Sequence, residues 1–328
     1  KVPVSKCPDN TAFKQQRVPA WRLTLSAKAV LSSFFLIGSF CLAVGISWIV
    51  ATVNVKEIAN ETELHKEEAH NVSNEIAGLF KHCTNVFCSI LYHDVFMYYG
   101  LNNFFQNHRR YVISRYDTQL LGRNTITKST NCAPFSTYQN GTPMAPCGAI
   151  ANSLFNDTIT LYYYTTATTK IPVPLLRTGN TWWSDKNIKF KNPQPVNNLV
   201  QAFAGSARPP YWQKPPYLLD SDPYNNGYEN DDFIIWMRVA AFPNFRKLYR
   251  RLSRVQQFAN GLPAGNYSYS IDYNFPVSKF KGQKYIYLTT LSWCGGRNLF
   301  LGIAYTATGA VVILVAVAML AVHLKKKK

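Results

Sequence analysis

The sequence predicts a membrane protein: two terminal transmembrane helices with a large antiparallel β-sandwich-like ectodomain, carrying long loop excursions, between them. Three observations carry this. Two apolar runs, Ala29–Val53 and Leu299–Val322, contain no Asp, Glu, Lys, Arg or His. As helices rising about 1.5 Å per residue, each can cross a hydrocarbon core of roughly 30 Å. Between them, aromatic and β-branched segments alternate with turn residues, the pattern of many short strands.

The flanks set the expected orientation. Lys1, Lys6, Lys14, Arg17, Arg22 and Lys28 precede the first run against one acid, Asp9, and Lys325–Lys328 follow the second. Short basic flanks stay cytosolic. The expected organisation is a cytosolic tail (1–28), a first transmembrane helix (29–53), a lumenal or extracellular domain (54–298), a second transmembrane helix (299–322) and a cytosolic tail (323–328). A cleaved signal peptide competes for the first run, but its apolar region is usually about 7–15 residues and nearer the start. The last lysines also meet a dilysine retrieval pattern, with positive-inside anchoring as the simpler account.

The net charge of +18 is misleading. Ten basic residues lie in the tails, leaving 25 basic against 16 acidic residues on the loop. A lumenal loop meets no nucleic acid. Its charge suits anionic lipid head groups, an acidic partner surface or plain solvation. Cys7 falls in the tail and Cys41 in the first run, while Cys83, Cys88, Cys132, Cys147 and Cys294 fall on or beside the oxidising side. Close spacing suggests disulfides Cys83–Cys88 and Cys132–Cys147, although four cysteines allow three connectivities. Cys294 is left over. Glycosylation sequons begin at Asn60, Asn71, Asn140, Asn156 and Asn266, all in the loop.

Within the loop, 54–80 reads as a polar stalk, helical or partly mobile. Ile159–Tyr164, Phe233–Val239, Tyr267–Phe275 and Tyr285–Leu291 read as strands, and Tyr267–Tyr273 alternates as a half-buried strand does. From Asn244, Phe245, Leu248, Tyr249, Leu252 and Val255 recur at helical steps, with Arg246, Lys247, Arg250, Arg251 and Arg254 on the other side. This predicts a basic amphipathic helix capped by Asn244. Trp182 and Trp183 are expected in the core. Arg109, Arg110 and Arg115 cluster among Tyr98, Tyr99, Phe104, Phe105 and Tyr111, the residue types that anchor interfaces.

Chemistry is poorly represented. His65 and His70 flank Glu67 and Glu68 five residues apart, which sets the imidazoles about 140° apart on a helix, whereas zincins need i, i+4. Asp220–Gly227 resembles a calcium loop, but Tyr224 and Asn225 occupy positions needing a ligand and a glycine, so Asx turns are expected. Asp231 and Asp232, read on a strand, point to opposite faces. The sequence has no G-x-S-x-G, phosphate-binding loop, G-x-G-x-x-G or H-E-x-x-H pattern. No catalytic, cofactor or metal residue is nominated, and an enzyme is not expected.

Several dense segments occur in a telling order: PDNTAFKQQRVPAW (Pro8–Trp21), VFMYYGL (Val95–Leu101), NFFQNHRRYV (Asn103–Val112), APCGAIANS (Ala145–Ser153), FNDT (Phe155–Thr158), WWSDKN (Trp182–Asn187), Asp220–Asn226 and FRKLY (Phe245–Tyr249). Together they resemble the cell cycle control protein 50 family, also called the transmembrane protein 30 family, along nearly the whole chain. The resemblance implies a noncatalytic β-subunit of type-IV P-type ATPases, the phospholipid flippases. Such a subunit caps the pump's exoplasmic loops and supports its exit from the endoplasmic reticulum and its phosphorylation cycle. An autonomous glycoprotein receptor or lectin is the alternative.

The resemblance places Asn10, Phe13, Gln16 and Arg17 against the pump's cytosolic face and the spans beside its helices, among membrane phospholipids. Pro19 and Trp21 lead into the bilayer interface, where Trp is favoured. Arg109, Arg110, Arg115, Arg246, Lys247 and Arg250 are the ectodomain contact candidates. The expected membranes are the endoplasmic reticulum, Golgi and plasma membrane. The chain departs from the family in keeping only Cys83 and Cys88 of a four-cysteine cluster. It also has Ser270-Ile271-Asp272 where a sequon usually stands and Cys294 where a Met is usual. It looks like a diverged paralogue, of the third vertebrate type.

Overall fold

A computed structural model describes residues 10–18, 26–61, 75–80, 91–92, 94–123, 128–166 and 168–327. Cys83, Cys88, Asn71, Pro19, Trp21 and the His65–His70 segment lie outside the described residues. In chain order the elements are α1 (Ala27–Val53), β1 (Glu57–Glu61), β2 (Glu75–Phe80), β3 (Leu91–Tyr92), β4 (Val95–Asn102), α2 (Arg109–Val112), α3 (Asp117–Leu120), α4 (Ala149–Asn152), β5 (Thr158–Tyr164), β6 (Lys170–Pro172), β7 (Leu175–Leu176), α5 (Leu199–Ala202), α6 (Asp231–Met237), β8 (Phe245–Leu252), β9 (Gly261–Leu262), β10 (Tyr267–Asp272), β11 (Gln283–Thr290) and α7 (Phe300–Lys327). They form two units, the terminal helices and the domain from Asn54 to Arg297.

Helices α1 and α7 are each long and apolar enough to cross a membrane. They pack antiparallel along glycines spaced seven apart, Gly38 and Gly45 on one, Gly302 and Gly309 on the other. A Cβ at Gly45 would lie 2.6 Å from the Thr306 amide nitrogen, and one at Gly309 2.8 Å from that of Leu42. The backbones therefore meet closer than any side chain permits, as helices do in lipid, where packing replaces the hydrophobic effect. Leu36, Phe40 and Leu314 point away and are exposed.

In the domain, a five-stranded sheet runs β1-β11-β4-β8-β7, a four-stranded sheet runs β2-β10-β5-β6, and β3 pairs with β9. Every strand pairing is antiparallel. Alternate residues Val95, Met97, Tyr99 and Leu101 of β4 and Ile286 and Leu288 of β11 meet Ile159 and Leu161 of β5 and Tyr267, Tyr269 and Ile271 of β10 in one core. Period-two burial is what a sandwich requires of its inner faces. The segments before β5 and between β7 and β8 leave the sheets and wrap them with α2 to α6. Gly148, at φ 101°, introduces α4, where a Cβ would strike the Ser114 carbonyl oxygen at 2.1 Å. The Nε1 groups of Trp212 and Trp236 donate to the carbonyls of Ala151 (2.7 Å) and Ile150 (2.8 Å), pinning α4 from within. The Ala145–Ser153 motif is thus a packing device.

Four expectations are corrected. The segment read as a stalk, 54–80, instead contributes strand β1 to the five-stranded sheet and β2 to the four-stranded one. The predicted strand Phe233–Val239 lies in helix α6: the Asn230 side chain caps the Phe233 amide at 2.9 Å, and Asp231 and Asp232 suit the positive helix start. The predicted helix from Asn244 is strand β8. Its pairing with β4 shifts between Met97 and Tyr98, leaving Tyr249 as an extra residue, so Lys247, Tyr249, Arg250 and Leu252 are all buried. That bulge breaks the two-residue period and imitates helical steps. Trp182 and Trp183 are 67% and 71% exposed, not core.

Replacing Gly45 or Gly309 by Leu should separate α1 from α7 and lower the thermal aggregation midpoint of the detergent-solubilised chain by several degrees. Gly296→Leu, where a Cβ would meet only the Leu291 side chain at an ordinary 3.8 Å, should leave the midpoint unchanged.

Candidate interaction surface

Basic residues of the domain fall into two populations. The first is internal. Lys284 of β11 is buried and ion-paired with Asp157, whose other oxygen accepts the amides of Asn274 (2.7 Å) and Phe275 (2.6 Å). Burial raises the Asp157 carboxyl above its ordinary value despite the Lys284 charge, and burial lowers Lys284 to about 8. Lys247 donates to the carbonyls of Ile235 (2.9 Å), Trp236 (3.0 Å) and Arg238, closing the C-terminal end of α6. Burial, then the neighbouring Arg238, lowers its ammonium to about 7. Arg250 makes a two-pronged contact with Asp232 (2.6 and 3.1 Å) and lies 4.0 Å above the Tyr249 ring. Lys247 and Arg250 are 7% and 5% exposed. Expected as contact residues on a solvent-facing helix, both are instead occupied inside the fold.

The Asp220 loop is also structural. The Asp220 carboxylate accepts from Asn225 (2.7 Å) and the Asp222 amide (3.3 Å) and pairs with Arg177 (3.2 Å). Burial opposes its ionisation, but these contacts outweigh that and lower its carboxyl. Asx turns at Asp220 and Asp222 use the oxygens a cation would need. Among the described residues, no three His, Cys, Asp or Glu side chains gather at a metal-sized site.

The second population is on the surface. Arg109 and Arg110 are exposed on α2, which Tyr111 anchors by a 2.7 Å hydroxyl contact with Ser153 and an edge contact with Phe104. Arg115 pairs with Asp117 at 3.0 Å. Exposed Arg246 pairs with Glu57 at 2.7 Å and covers Tyr287. Arg238, missed by sequence reasoning, stands between two concavities. One, of about 570 Å³, is lined by Val112, Arg115, Leu121, Lys189 and Val239; the other, of about 340 Å³, by Tyr98, Trp182 and Arg246. The Arg238 guanidinium lies 5.5 Å from the Trp182 ring and 2.9 Å from buried Asp185, which also holds Lys189 at 2.8 Å. A π-helical turn, Asp185–Lys189, presents this group. The only sequence signal was the paired Trp182-Trp183 beside charged residues.

Elsewhere, Cys132 and Cys147 are bridged with Cα atoms 5.7 Å apart, over Met144, Tyr116 and Phe135. The Cys294 sulfur lies 3.0 Å from the Ser292 hydroxyl. Asn140 and Asn266 are exposed, whereas Asn156 is half-buried. In the tail, a hydrogen-bonded turn joins the Arg17 amide to the Ala12 carbonyl (2.7 Å) and leaves Phe13 82% exposed.

A pair of long apolar helices joined to an antiparallel sandwich, with a cationic and aromatic face, defines a class of helix-tethered ectodomain proteins. The chain belongs to the LEM3 (ligand-effect modulator 3) family / CDC50 family, whose model matches residues 57–328. It is 52% identical to cell cycle control protein 50C of Bos taurus, over 99% of this chain and 95% of that protein. It is 46% identical to cell cycle control protein 50A of Bos taurus (97% and 89% covered) and 42% identical to cell cycle control protein 50B of Homo sapiens (97% and 94% covered).

Lys284→Met alone should destabilise the chain by about 3–5 kcal/mol, because it strands a buried carboxylate, while adding Asp157→Asn, which removes the charge but keeps an oxygen for the Asn274 and Phe275 amides, should recover part of the loss. Equilibrium unfolding of the wild type and the two variants in detergent checks this. Stability should also depend on pH through the buried lysines. The unfolded chain holds their protons up to about 10.5, whereas the folded chain releases them from about 7 at Lys247 and about 8 at Lys284. The unfolded state therefore binds more protons between those values, and stability should rise from pH 7 toward pH 10. Lys247→Met should flatten part of that rise in thermal scans.

Proposed function

We propose that this chain is a noncatalytic accessory (β) subunit of a type-IV P-type ATPase, a phospholipid flippase. The observation that carries the reading is the family match across 57–328 together with the high identity to the cell cycle control protein 50 relatives. ATP hydrolysis and the lipid path belong to the pump. This subunit stabilises the pump, supports its exit from the endoplasmic reticulum and its catalytic cycle, and so supports phospholipid translocation.

In this reading α1 and α7 span the membrane, both tails are cytosolic, and the glycosylated domain is lumenal or extracellular. The basic flanks of the apolar runs support that orientation. The complex travels through the endoplasmic reticulum, Golgi and plasma membrane. On the exoplasmic side, Arg109, Arg110, Arg115, Arg246 and Arg238 with Trp182 form the contact surface, since exposed Arg and Trp anchor interfaces. On the cytosolic side the contact is the Asn10–Arg17 turn, which leaves Phe13 exposed.

Co-expression with each candidate pump, followed by affinity purification in mild detergent, tests this. A ten-span ATPase should co-purify and reach the cell surface only with the subunit. Phe13→Ala, or Trp182→Ala with Arg238→Ala, should weaken recovery about tenfold or more, as loss of an interface anchor does. A chain that stays monodisperse alone and changes neither pump export nor phosphorylation would sink the proposal.

A further inference from the structure

A sequon, Asn156-Asp157-Thr158, leads into β5, and its middle residue is the buried partner of Lys284. Asn156 is unlike the other sequon side chains described. Asn140 and Asn266 stand in solvent, whereas Asn156 lines a cleft of about 150 Å³. A single water needs roughly 10–15 Å³ of such space, so the cleft is too roomy for one bridging solvent molecule.

The lining has the composition of a sugar site: aromatic faces with planar polar groups around them. Tyr211, 64% exposed, forms one rim beside buried Trp212, and the Tyr211 amide is fixed by Asn152 at 3.2 Å. Gln213 donates through Nε2 to Asn274 at 2.8 Å, which leaves its Oε1 to accept from an acetamide N–H. Arg177 pairs with Asp220 through Nε at 3.2 Å, which leaves its terminal nitrogens for hydroxyl oxygens. Both residues line the cleft. Asn156 itself has a carbonyl held by Asn274 (3.3 Å), and its side-chain amide makes no hydrogen bond to the described protein.

We infer that the first N-acetylglucosamine of a glycan on Asn156 seats in this cleft, stacked on Tyr211 and hydrogen-bonded by Gln213 and Arg177, as an internal brace of the sandwich. The bond is made on the nascent chain. The Asn156 amide nitrogen displaces a lipid pyrophosphate from C1 of the donor oligosaccharide and gives up one proton to the transferase's base. The domain then closes with the sugar already in place. The brace needs no pump, so its failure would leave the subunit reading untouched.

The test uses the full chain purified from cells that make high-mannose glycans. Mass spectrometry should find Asn156 occupied. In the native chain, PNGase F should release this glycan at least tenfold more slowly than in the denatured chain, and Tyr211→Ala should remove that protection while the chain still folds. Endoglycosidase H, which leaves the first sugar, should not change the thermal midpoint, whereas Asn156→Gln should lower it by several degrees. Should Asn156→Gln fail to fold, the PNGase F rates of the wild type and Tyr211→Ala decide alone. An unoccupied Asn156, an unprotected glycan, or protection that survives Tyr211→Ala overturns the proposal.

Discussion

The Asp157–Lys284 pair is the contact on which the sandwich turns. It joins the start of β5 in one sheet to β11 in the other, and through Asn274 and Phe275 it also fixes the connection from β10 to β11. A buried charge left unpaired is very unfavourable, so the two sheets have one relative position in which both charges are satisfied. Two further contacts agree with that position. The Ile159 amide donates to the Tyr249 hydroxyl across the sheets at 2.9 Å, and Tyr99 stacks on Phe155 with centroids 3.9 Å apart. Polar specificity and aromatic packing thus share one locus, which also carries the Asn156 sequon.

From this locus the excursions become intelligible. Helix α4 delivers Phe155 and Asp157 to the core, and α4 is itself held by two tryptophan N–H groups from the second excursion. Helix α6 lies under β8 because Lys247 gathers the carbonyls at its end and Arg250 gathers Asp232 near its start. The charges that look on paper like a solvated helix face are the ties between α6 and the sheet. Apolar burial supplies most of the driving force, but these ties select the geometry.

Much of this was legible from residue order. The apolar runs, the antiparallel class and the strands read at Ile159–Tyr164, Tyr267–Phe275 and Tyr285–Leu291, observed at Thr158–Tyr164, Tyr267–Asp272 and Gln283–Thr290, follow from hydrophobicity and two-residue alternation. Strand β8 was not, because the extra residue at Tyr249 breaks the alternation, and a bulge is created by its partner strand. Helix α6 was readable in principle: Asn230-Asp231-Asp232 ahead of an apolar run is a helix-start signal, but the β-prone Phe-Ile-Ile-Trp composition masks it. The exposure of Trp182 and Trp183 could not be read, since it depends on Asp185 turning inward to hold Lys189 and Arg238.

That last arrangement bears on the outer face as the proposed contact surface. Long cationic side chains in water ordinarily keep their rotamer freedom and lose it on binding. Here Asp185 is only 1% exposed and holds Arg238 and Lys189 in place, while Trp182 covers the guanidinium. Part of their rotamer freedom is therefore already lost within the fold. A preordered Arg–Trp pair between two concavities loses less on association than mobile surface lysines would, and the same net charge spread over flexible side chains would not give a defined docking geometry. The basic surplus of the domain matters less than the buried carboxylate that immobilises part of it.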